Sequence, residues 1–590
     1  MQSVEEEIQS TWWRYGTILA VACLVIYAGM FLGIAARHVA YDGFLEPMEG
    51  EVLQHIQRVC SDEPLYPAPS ADYIALSYMP LYYVLSAPFY LMCGEDFAGP
   101  RLLSVLCALG SGLICIAIAW RESRSLAVAS MAGGLYFSSY RIMDAALTCA
   151  LPDSMLLFWL LLGCCFWAYG KNRWHDVAWL VCFSLAFWTK PHGALFFGGS
   201  VLYALLFRKN SLPKWAIVAG LLTGGPLAYF LVSRWLGPGF VYTTLDIPGS
   251  WERSPRFSLQ RTTFVILEFV PYLCLLAVFY FRSSISVPRR SISALTWFCG
   301  QSLAISVFTM MAAGSANNHY VPFIAAFCVA AALGARELSA QEVPRWVGWV
   351  LAGLIVGTSG ITWIATRQFA HHPIPTCVPI ITVVVALSSA GLMLIAKRQE
   401  WRAGLFAGLL VAGQFATAFF PLNDYVEREG WQAAAADLRS ELESLDGPVA
   451  WVPYGYVPER LAGKSFFRTP SLVVLEDIER QHGKEDVGWS QLEPFRRRID
   501  ECDSLYVLAT GPLNEAPVWG QLEYEWELQR DYGRRFANLQ QVTRRWYGGG
   551  EFLRYLYRRG KPRASKRENE VANSDSSTGE FKTTGTPDAD

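Results

Sequence analysis

The residues in this sequence with the clearest chemical potential are four carboxylates that directly follow the first long apolar segment. They lie within ten residues of one another and are Asp42, Glu46, Glu49 and Glu51. Carboxylates this close to hydrocarbon are costly, so their position calls for a reason. A positioned carboxylate can take the proton of an attacking hydroxyl group and accelerate the reaction by a factor of about 10² to 10⁴. The segment is therefore a candidate functional loop.

Two further turns between apolar segments carry charged side chains. Asp144 and Asp153 lie in one turn, where their oxygens could hold Mg²⁺, Mn²⁺ or Ca²⁺ or could orient a sugar. Asp153 also begins a helix, and a carboxylate there can simply cap the helix. Lys190 lies in the other turn and could bind a phosphate, although it could equally extend to the membrane surface. Metal dependence stays open, and the sequence demands no cofactor.

Cations and neutral donors at other segment ends extend this set. Arg101, which precedes the second apolar segment, and Lys190 are candidates to stabilise the charge that develops on a leaving phosphate. The uncharged donors within residues 314–320 suit a diphosphate or sugar hydroxyls. The residues predicted to bind a phosphate or sugar are Arg101, Asp153, Lys190, His192, Asn318, His319 and Tyr320.

The elements that must position these residues are membrane helices. Of the 590 residues, 53% are hydrophobic and only 17% are charged, which is too apolar for a soluble enzyme of this size. A helix needs about 20 apolar residues to cross a bilayer. The sequence therefore predicts a polytopic α-helical membrane protein with about thirteen spans. These are residues 16–38, 101–120, 125–142, 153–170, 174–189, 193–207, 213–235, 262–281, 291–312, 320–335, 346–366, 376–396 and 403–421.

Basic residues predict the orientation of these spans, because short cytoplasmic loops are enriched in Lys and Arg. Alternate connections carry such residues, for example Arg121 with Arg124 and Lys171 with Arg173. The acidic segment and the polar turns lie in the other connections and should face outward. The first apolar run lacks a convincing cleavage site and is interpreted as an anchor. These features predict a multi-pass protein of the inner (plasma) membrane with a cytoplasmic N-terminus.

The composition changes after residue 421, and this change sets the predicted domains. The charged, mixed sequence that follows predicts a small α/β domain outside the membrane, with helices over 431–445 and 492–500 and strands over 448–452 and 504–508. The last segment has few apolar residues to bury and should be disordered. The predicted parts are a cytoplasmic N-terminus at 1–15, a membrane domain at 16–421 with a first outer loop at 39–100, an extracytoplasmic domain at 422–558 and a tail at 559–590.

The fourteen cysteines do not define a disulfide framework. Most of them lie in apolar helices, where Cys behaves as a small hydrophobic residue. Cys60 and Cys93 fall on the predicted outer side, where a bridge between them is possible. Their spacing alone does not establish that bridge.

The order of these motifs resembles the bacterial GT-C membrane glycosyltransferases. Within them it is similar to the family 39 group, which includes the protein mannosyltransferases, the aminoarabinose transferases and the RgtA/B/C/D-like enzymes. The resemblance covers roughly residues 15–421 and rests on the order and shared membrane face of several motifs, none of which is specific alone. The matching segments are residues 49–50, 78–83, 151–154, 189–191 and 314–322.

The resemblance implies transfer of a sugar from a polyprenyl-phosphate donor to a lipid, glycan or protein hydroxyl on the outer membrane face. It places the general base at Glu49. The common Asp-Glu pattern is replaced here by Glu-Gly-Glu, so Asp42, Glu46 and Glu51 remain alternatives. No nucleotide-binding glycine-rich loop is present, which favours a lipid-linked donor. The expected partners are this donor, the acceptor and membrane lipids, without nucleic acid.

Two other classes compete with this interpretation. A secondary transporter would also have about a dozen spans, but it would place charged residues within its helices and repeat one half in the other. In this sequence the ionisable residues gather at the predicted outer helix ends instead. A noncatalytic membrane scaffold in cell-envelope assembly would keep the fold and could lose the acids. The glycosyltransferase interpretation therefore ranks first.

Overall fold

The chain divides into two compact units, which this computed structural model describes over much of their length. The larger unit comprises Met1–Trp431 with Asn538–Gly550, and the smaller one comprises Gln432–Ala537 with Glu551–Asp590. The described residues are 2–46, 48–70, 73–143, 146–207, 212–251, 253–269, 293–312, 317–339, 430–452, 497–509, 524–533 and 555–562, with isolated positions among the others.

The described part of the larger unit is helical. Its helices are α1 (Gln2–Ala40), α2 (Glu49–Cys60), α3 (Leu81–Cys93), α4 (Ala98–Ser123), α5 (Leu126–Ser138), α6 (Asp153–Tyr169), α7 (Arg173–Thr189), α8 (Gly193–Leu206), α9 (Lys214–Gly224), α10 (Pro226–Leu236), α11 (Gly239–Val241), α12 (Ile247–Ser250), α13 (Pro255–Phe269), α14 (Ala294–Thr309) and α15 (Val321–Ser339). A single 3-10 turn at Asn317–Tyr320 precedes α15.

Several of these helices can cross a membrane. Four segments are long and apolar enough, namely Gly16–Ala40, Ala98–Ser123, Lys214–Leu236 and Asn317–Ser339, and shorter apolar helices accompany them. The prediction of a multi-pass helical membrane protein is therefore confirmed. The predicted total of about thirteen spans stays a prediction, because the spans at 346–366, 376–396 and 403–421 lie largely outside the described residues.

The core of the larger unit forms around α15, which is buried along almost its whole length. Its inner turns are rich in alanine, which lets neighbouring helices approach closely where lipid offers no hydrophobic driving force. Glycines do the same between α1 and α5: a Cβ on Gly133 would lie 3.0 Å from the Leu24 side chain. At the periphery, α10 exposes Leu227, Phe230 and Trp235, as expected of a surface that faces lipid.

Two helices that the sequence did not predict lie in the first loop, between α1 and α4. Helix α2 buries an apolar face, and α3 buries its tyrosines while it exposes Leu91 and Met92. An exposed apolar face of this kind is expected of a helix that lies at the membrane interface. Cys60 and Cys93 are the last residues of these helices, and both are free thiols.

His55 ties α2 to the segment that leads into α3. Its Nε2 accepts the N–H of Leu76 at 3.0 Å, and its Nδ1 lies 2.6 Å from the carbonyl oxygen of Glu51. The ring is fully buried and stacks on Tyr83, with ring centres 4.6 Å apart. Burial lowers the pKa of His55 to about 3, so the imidazole is neutral and carries its proton on Nδ1.

The first loop is also held by the turn after α10. The N–H of Tyr66 donates to the carbonyl of Leu236 at 3.1 Å, and the N–H of Gly239 donates back to Tyr66 at 3.0 Å. The backbones approach so closely that a Cβ on Gly239 would lie 2.0 Å from the carbonyl oxygen of Pro67. Gly237 adopts a φ of 114°, which favours glycine.

Replacing Gly239 with alanine should therefore destabilise the larger unit. The new methyl group overlaps a backbone oxygen that cannot move aside cheaply, and overpacking of this kind costs about 1 to 3 kcal/mol. The measurement is the thermal unfolding midpoint of the purified protein in detergent. Gly198→Ala is the matched control, because nothing lies within 4 Å of its Cβ position in α8. Equal midpoints for the two variants would contradict this account of the contact.

The smaller unit contains a mixed sheet and a helix. Its elements are α16 (Trp431–Glu443), β1 (Val449–Val452), β2 (Tyr506–Ala509), β3 (Tyr524–Asp531) and β4 (Tyr555–Pro562). The strand order is β1-β2-β4-β3, with β1 parallel to β2 and the other pairs antiparallel. This agrees with the predicted helix over 431–445 and with the two predicted strands, whereas the predicted helix over 492–500 lies partly outside the described residues. β4 continues to Pro562, beyond the predicted domain end at residue 558.

Candidate active site

Glu49 and Arg101 form a buried ion pair that ties the first loop to the helix bundle. Nε and Nη2 of Arg101 donate to Oε1 and Oε2 of Glu49 at 2.9 and 2.6 Å. The backbone N–H groups of Leu45 and Ala150 donate to the same carboxylate, each at 2.7 Å. Both oxygens of Glu49 thus accept two hydrogen bonds, and neither side chain of the pair is exposed.

The remaining donors of Arg101 bind backbone carbonyl groups at the end of α1 and in the first loop. Nη1 donates to the carbonyls of His38 and Tyr41, and Nη2 donates to that of Gly43 at 2.6 Å. A guanidinium has five N–H donors, and all five are engaged here. Neither Glu49 nor Arg101 therefore presents a spare polar atom to a substrate. Their predicted roles as base and phosphate ligand stay predictions, without support from this geometry.

Glu46 lies in the same loop and differs from Glu49 in its spare oxygen. Oε2 accepts the N–H of Met48 at 2.6 Å, whereas Oε1 is buried without a hydrogen-bond partner among the described residues. Burial raises the pKa of the Glu46 carboxyl well above its usual value, and the negative charges of Glu49, Glu51 and Asp153 raise it further. A positioned carboxyl with a raised pKa suits a proton acceptor that works near neutral pH.

Asp153 and Lys190 form a second buried ion pair. Nζ of Lys190 donates to Oδ1 of Asp153 at 2.8 Å. Two helix ends bring them together, because α6 begins at Asp153 and α7 ends just before Lys190, where Pro191 disfavours further helix. Oδ2 of Asp153 has no hydrogen-bond partner among the described residues, and Nζ also lies 4.8 Å from the centre of the Tyr78 ring. The pair thus offers an acceptor and a cation at one place.

Two histidines lie beside this pair. The ring centres of His192 and His319 are 5.4 Å apart, and burial together with His319 and Lys190 lowers the pKa of His192 well below its usual value. Nδ1 of His319 and Oδ1 of Asn318 are buried without partners in the described part of the chain. Tyr320 is different, since its hydroxyl already pairs with that of Thr262 at 2.6 Å.

The other predicted site residues are less informative. Asp42 is partly exposed, and Glu51 is buried in the first turn of α2. Asp144 lies outside the described residues. Across the part of the chain that the structure describes, no group of three or more His, Cys, Asp or Glu side chains could hold a metal ion. Metal binding by Asp144 and Asp153 stays a prediction.

Two residues that the sequence did not single out as site residues lie next to the Asp153–Lys190 pair. The ring of Tyr78 faces the ammonium of Lys190. Ser154 follows Asp153 in α6, and its buried Oγ has no hydrogen-bond partner among the described residues. Tyr78 was not distinguished from the five aromatic or apolar residues that follow it at 79–83. Its role depends on a contact between distant segments, which spacing cannot reveal.

The chain is similar to solved structures in its fold and to one protein family in part of its sequence. The chain is similar in structure to ArnT from Cupriavidus metallidurans in the apo state, with a TM-score of 0.55, 16% identity and coverage of 92% of this chain and 98% of that chain. For the same enzyme bound to undecaprenyl phosphate the TM-score is 0.53, with 15% identity and coverage of 90% and 97%. At these identities the likeness establishes the fold. No curated protein matches by sequence.

Together these findings confirm the resemblance to the GT-C membrane glycosyltransferases that was drawn from the motifs. Residues 73–283 match the family of dolichyl-phosphate-mannose-protein mannosyltransferases. This matched region contains Arg101, Asp153 and Lys190, whereas the acidic segment of the first loop precedes it.

Proposed function

We propose that the chain transfers a sugar from a polyprenyl-phosphate donor to a hydroxyl group of a lipid, glycan or protein. One observation carries this proposal: a buried acid with a spare oxygen, Glu46, is electrostatically coupled to Asp153, which pairs with Lys190. A proton acceptor and a cation are the two groups that transfer from a lipid phosphate needs. The undecaprenyl phosphate bound to ArnT supports a donor of this class.

In the proposed reaction, the acceptor oxygen attacks the anomeric carbon of the donor sugar. The bond from that carbon to the phosphate oxygen breaks, and polyprenyl phosphate leaves with the bonding electrons. Glu46 takes the proton of the acceptor hydroxyl, and Lys190 stabilises the leaving phosphate. Oδ2 of Asp153 accepts a hydrogen bond from a sugar hydroxyl, a contact that its free lone pairs permit.

The remaining polar groups suit the sugar and the phosphate. His192, Asn318 and His319 offer neutral donors and acceptors, and the rings of the two histidines lie 5.4 Å apart. Oδ2 of Asp153 could also ligate a divalent cation, which would neutralise phosphate charge when bound. The second predicted ligand, Asp144, lies outside the described residues, and the proton transfer to Glu46 does not depend on a metal.

We infer the orientation from the basic residues of alternate connections. Arg121 lies in the last turn of α4 and Arg124 directly follows that helix, at the opposite end from Arg101, and positive loops favour the cytoplasmic side. We therefore propose that the N-terminus lies in the cytoplasm and that the Glu46 site lies at the outer face of the inner membrane. The smaller unit then lies outside the cytoplasm. The predicted domain boundaries at residues 421 and 558 belong to the same proposal.

The direct test is a transfer assay with the purified full chain. The protein in lipid nanodiscs is incubated with undecaprenyl-phosphate-linked sugars and a membrane extract as the source of acceptors. Mass spectrometry should detect free undecaprenyl phosphate together with an acceptor that has gained one sugar. Substrate-dependent flux into sealed vesicles without any covalent product would instead support a transporter.

The rate of transfer should depend on pH through Glu46. A base acts in its deprotonated form, and the pKa of Glu46 lies above the usual value of about 4.3 for this residue type. Activity should therefore rise with pH through this raised pKa and be lost as the pH falls through it. The pH profile of kcat/KM reports this group in the free enzyme. An acid limb at the ordinary carboxylate value would contradict the assignment.

A further inference from the structure

The Glu49–Arg101 pair connects parts of the chain that are distant in sequence. Seven hydrogen bonds converge on it, five from the guanidinium and two from backbone N–H groups to the carboxylate. They join the end of α1, the first loop, the start of α4 and the turn that precedes α6. Every side-chain atom of the pair is buried, so water does not compete for these bonds.

These bonds hold backbone groups that shortly precede each of the two acids used in the proposed reaction. The guanidinium holds the carbonyls of Tyr41 and Gly43, and the carboxylate holds the N–H of Leu45, one residue before Glu46. The same carboxylate holds the N–H of Ala150, three residues before Asp153. One ion pair therefore sets the position of the Glu46 loop relative to the start of α6.

A buried ion pair is an inefficient way to stabilise a fold, because an apolar replacement of the same volume is often as stable. Its distinctive property is geometry, since the planar guanidinium fork fixes the direction of each bond. Catalytic groups must be held within a fraction of an ångström, and a misplacement of about 1 Å can reduce the rate by a factor of about 10². The arrangement thus suits positioning better than stabilisation.

We propose that Arg101 and Glu49 are positioning residues, which hold the loop that carries Glu46 in place relative to the start of α6 without touching the substrate. The proposal rests on the sugar transfer proposed above. When the pair is broken, the loop between α1 and α2 should relax and admit water to Glu46. The charged groups that act on Glu46 are Glu49, Glu51 and Asp153, the last paired with Lys190.

The test compares Glu49→Gln, Glu49→Asp and Arg101→Lys with the wild-type chain. We expect Glu49→Gln to lower kcat by a factor of about 10 to 10² and to change KM by less than about threefold, because the substrate contacts remain. The acid limb of the pH profile should move toward lower pH, since a hydrated carboxyl returns toward its ordinary pKa. Glu49→Asp keeps the buried charge and should show a smaller effect than Glu49→Gln. It provides the test if Glu49→Gln folds poorly.

Arg101→Lys should behave like Glu49→Gln, because an ammonium cannot form the five directed bonds of the guanidinium. The matched control is Glu63→Gln, which breaks the surface pair with Arg58 at 2.9 Å in the same loop and should leave kcat and the pH profile unchanged. Because Arg101→Lys leaves the Glu49 charge in place, a merely structural role would lower the thermal unfolding midpoint of this variant without moving its acid limb.

Three outcomes overturn the proposal. Wild-type kcat and pH profile in Glu49→Gln would show that the pair does not position the base. Complete loss of the acid limb in that variant would make Glu49 the base itself. A lower midpoint with an unmoved limb would leave the pair a purely structural element. Failure of the wild-type chain to transfer any sugar would instead count against the proposed function, so the two failures are distinguishable.

Discussion

Replacing Glu46 with glutamine is expected to lower the rate of sugar transfer by a factor of about 10² to 10⁴, the contribution of a general base. Glutamine keeps the shape of the side chain and can still accept the N–H of Met48, but it cannot take a proton. The measurement is kcat for release of polyprenyl phosphate. Glu63→Gln, an equivalent change at an exposed position of the same loop, is the control.

The same substitution should not weaken the fold. The pKa of Glu46 is raised in the folded state, so its carboxylate form is less favourable there than in the unfolded chain. Stability that depends on this group is present at low pH and is lost as the pH rises through the raised pKa. A neutral glutamine removes that loss, and the unfolding midpoint at neutral pH should be equal to or higher than that of the wild type. Wild-type kcat in this variant would exclude Glu46 as the base.

Replacing Lys190 with methionine is the second change with a large expected effect. Loss of the cation beside the leaving phosphate should reduce kcat by a factor of about 10² to 10³, as for removal of one stabilising donor. The change also leaves the buried Asp153 carboxylate without its ion-pair partner, which costs about 3 to 5 kcal/mol of stability. Activity and thermal unfolding should therefore both fall.

A double variant separates these two effects. Lys190→Met with Asp153→Leu removes both buried charges and should recover most of the unfolding midpoint, since apolar replacements of a buried pair are often neutral or stabilising. Sugar transfer should remain as low as in Lys190→Met. Recovery of kcat together with the midpoint would indicate that Lys190 supports only the fold. Lys214→Met, at an exposed position at the start of α9, is the matched control.

The sequence predicted the helices well where apolar runs are long and uninterrupted. It missed α2 and α3, because α3 is an apolar, tyrosine-rich helix of 13 residues that is too short to read as a span. In the smaller unit, β1 and β2 were predicted because each is a short apolar run between polar turns. β3 was not, since only Tyr524 at its start is buried and alternation is weak along an exposed edge strand.

The candidate site was predicted in part. Asp153 and Lys190 were both identified because they lie at helix ends on the same predicted membrane face. In the structure, Nζ of Lys190 lies 2.8 Å from Oδ1 of Asp153. The choice among the four acids of the first loop could not be made from spacing. It depends on Arg101, which lies 52 positions after Glu49 in the chain and pairs with it rather than with Glu46. Tertiary contacts of this kind leave no local signal.

The pKa of His55 sets the pH down to which its hydrogen bonds in the first loop persist. Because burial holds its pKa to about 3, the imidazole keeps its hydrogen bonds to Leu76 and Glu51 in moderately acidic buffer. The contribution of His55 to the free energy of unfolding is complete above its unfolded pKa of about 6.5. This contribution declines as the pH falls toward 3. An acid limb of activity above that value therefore does not arise from protonation of His55 in the folded protein.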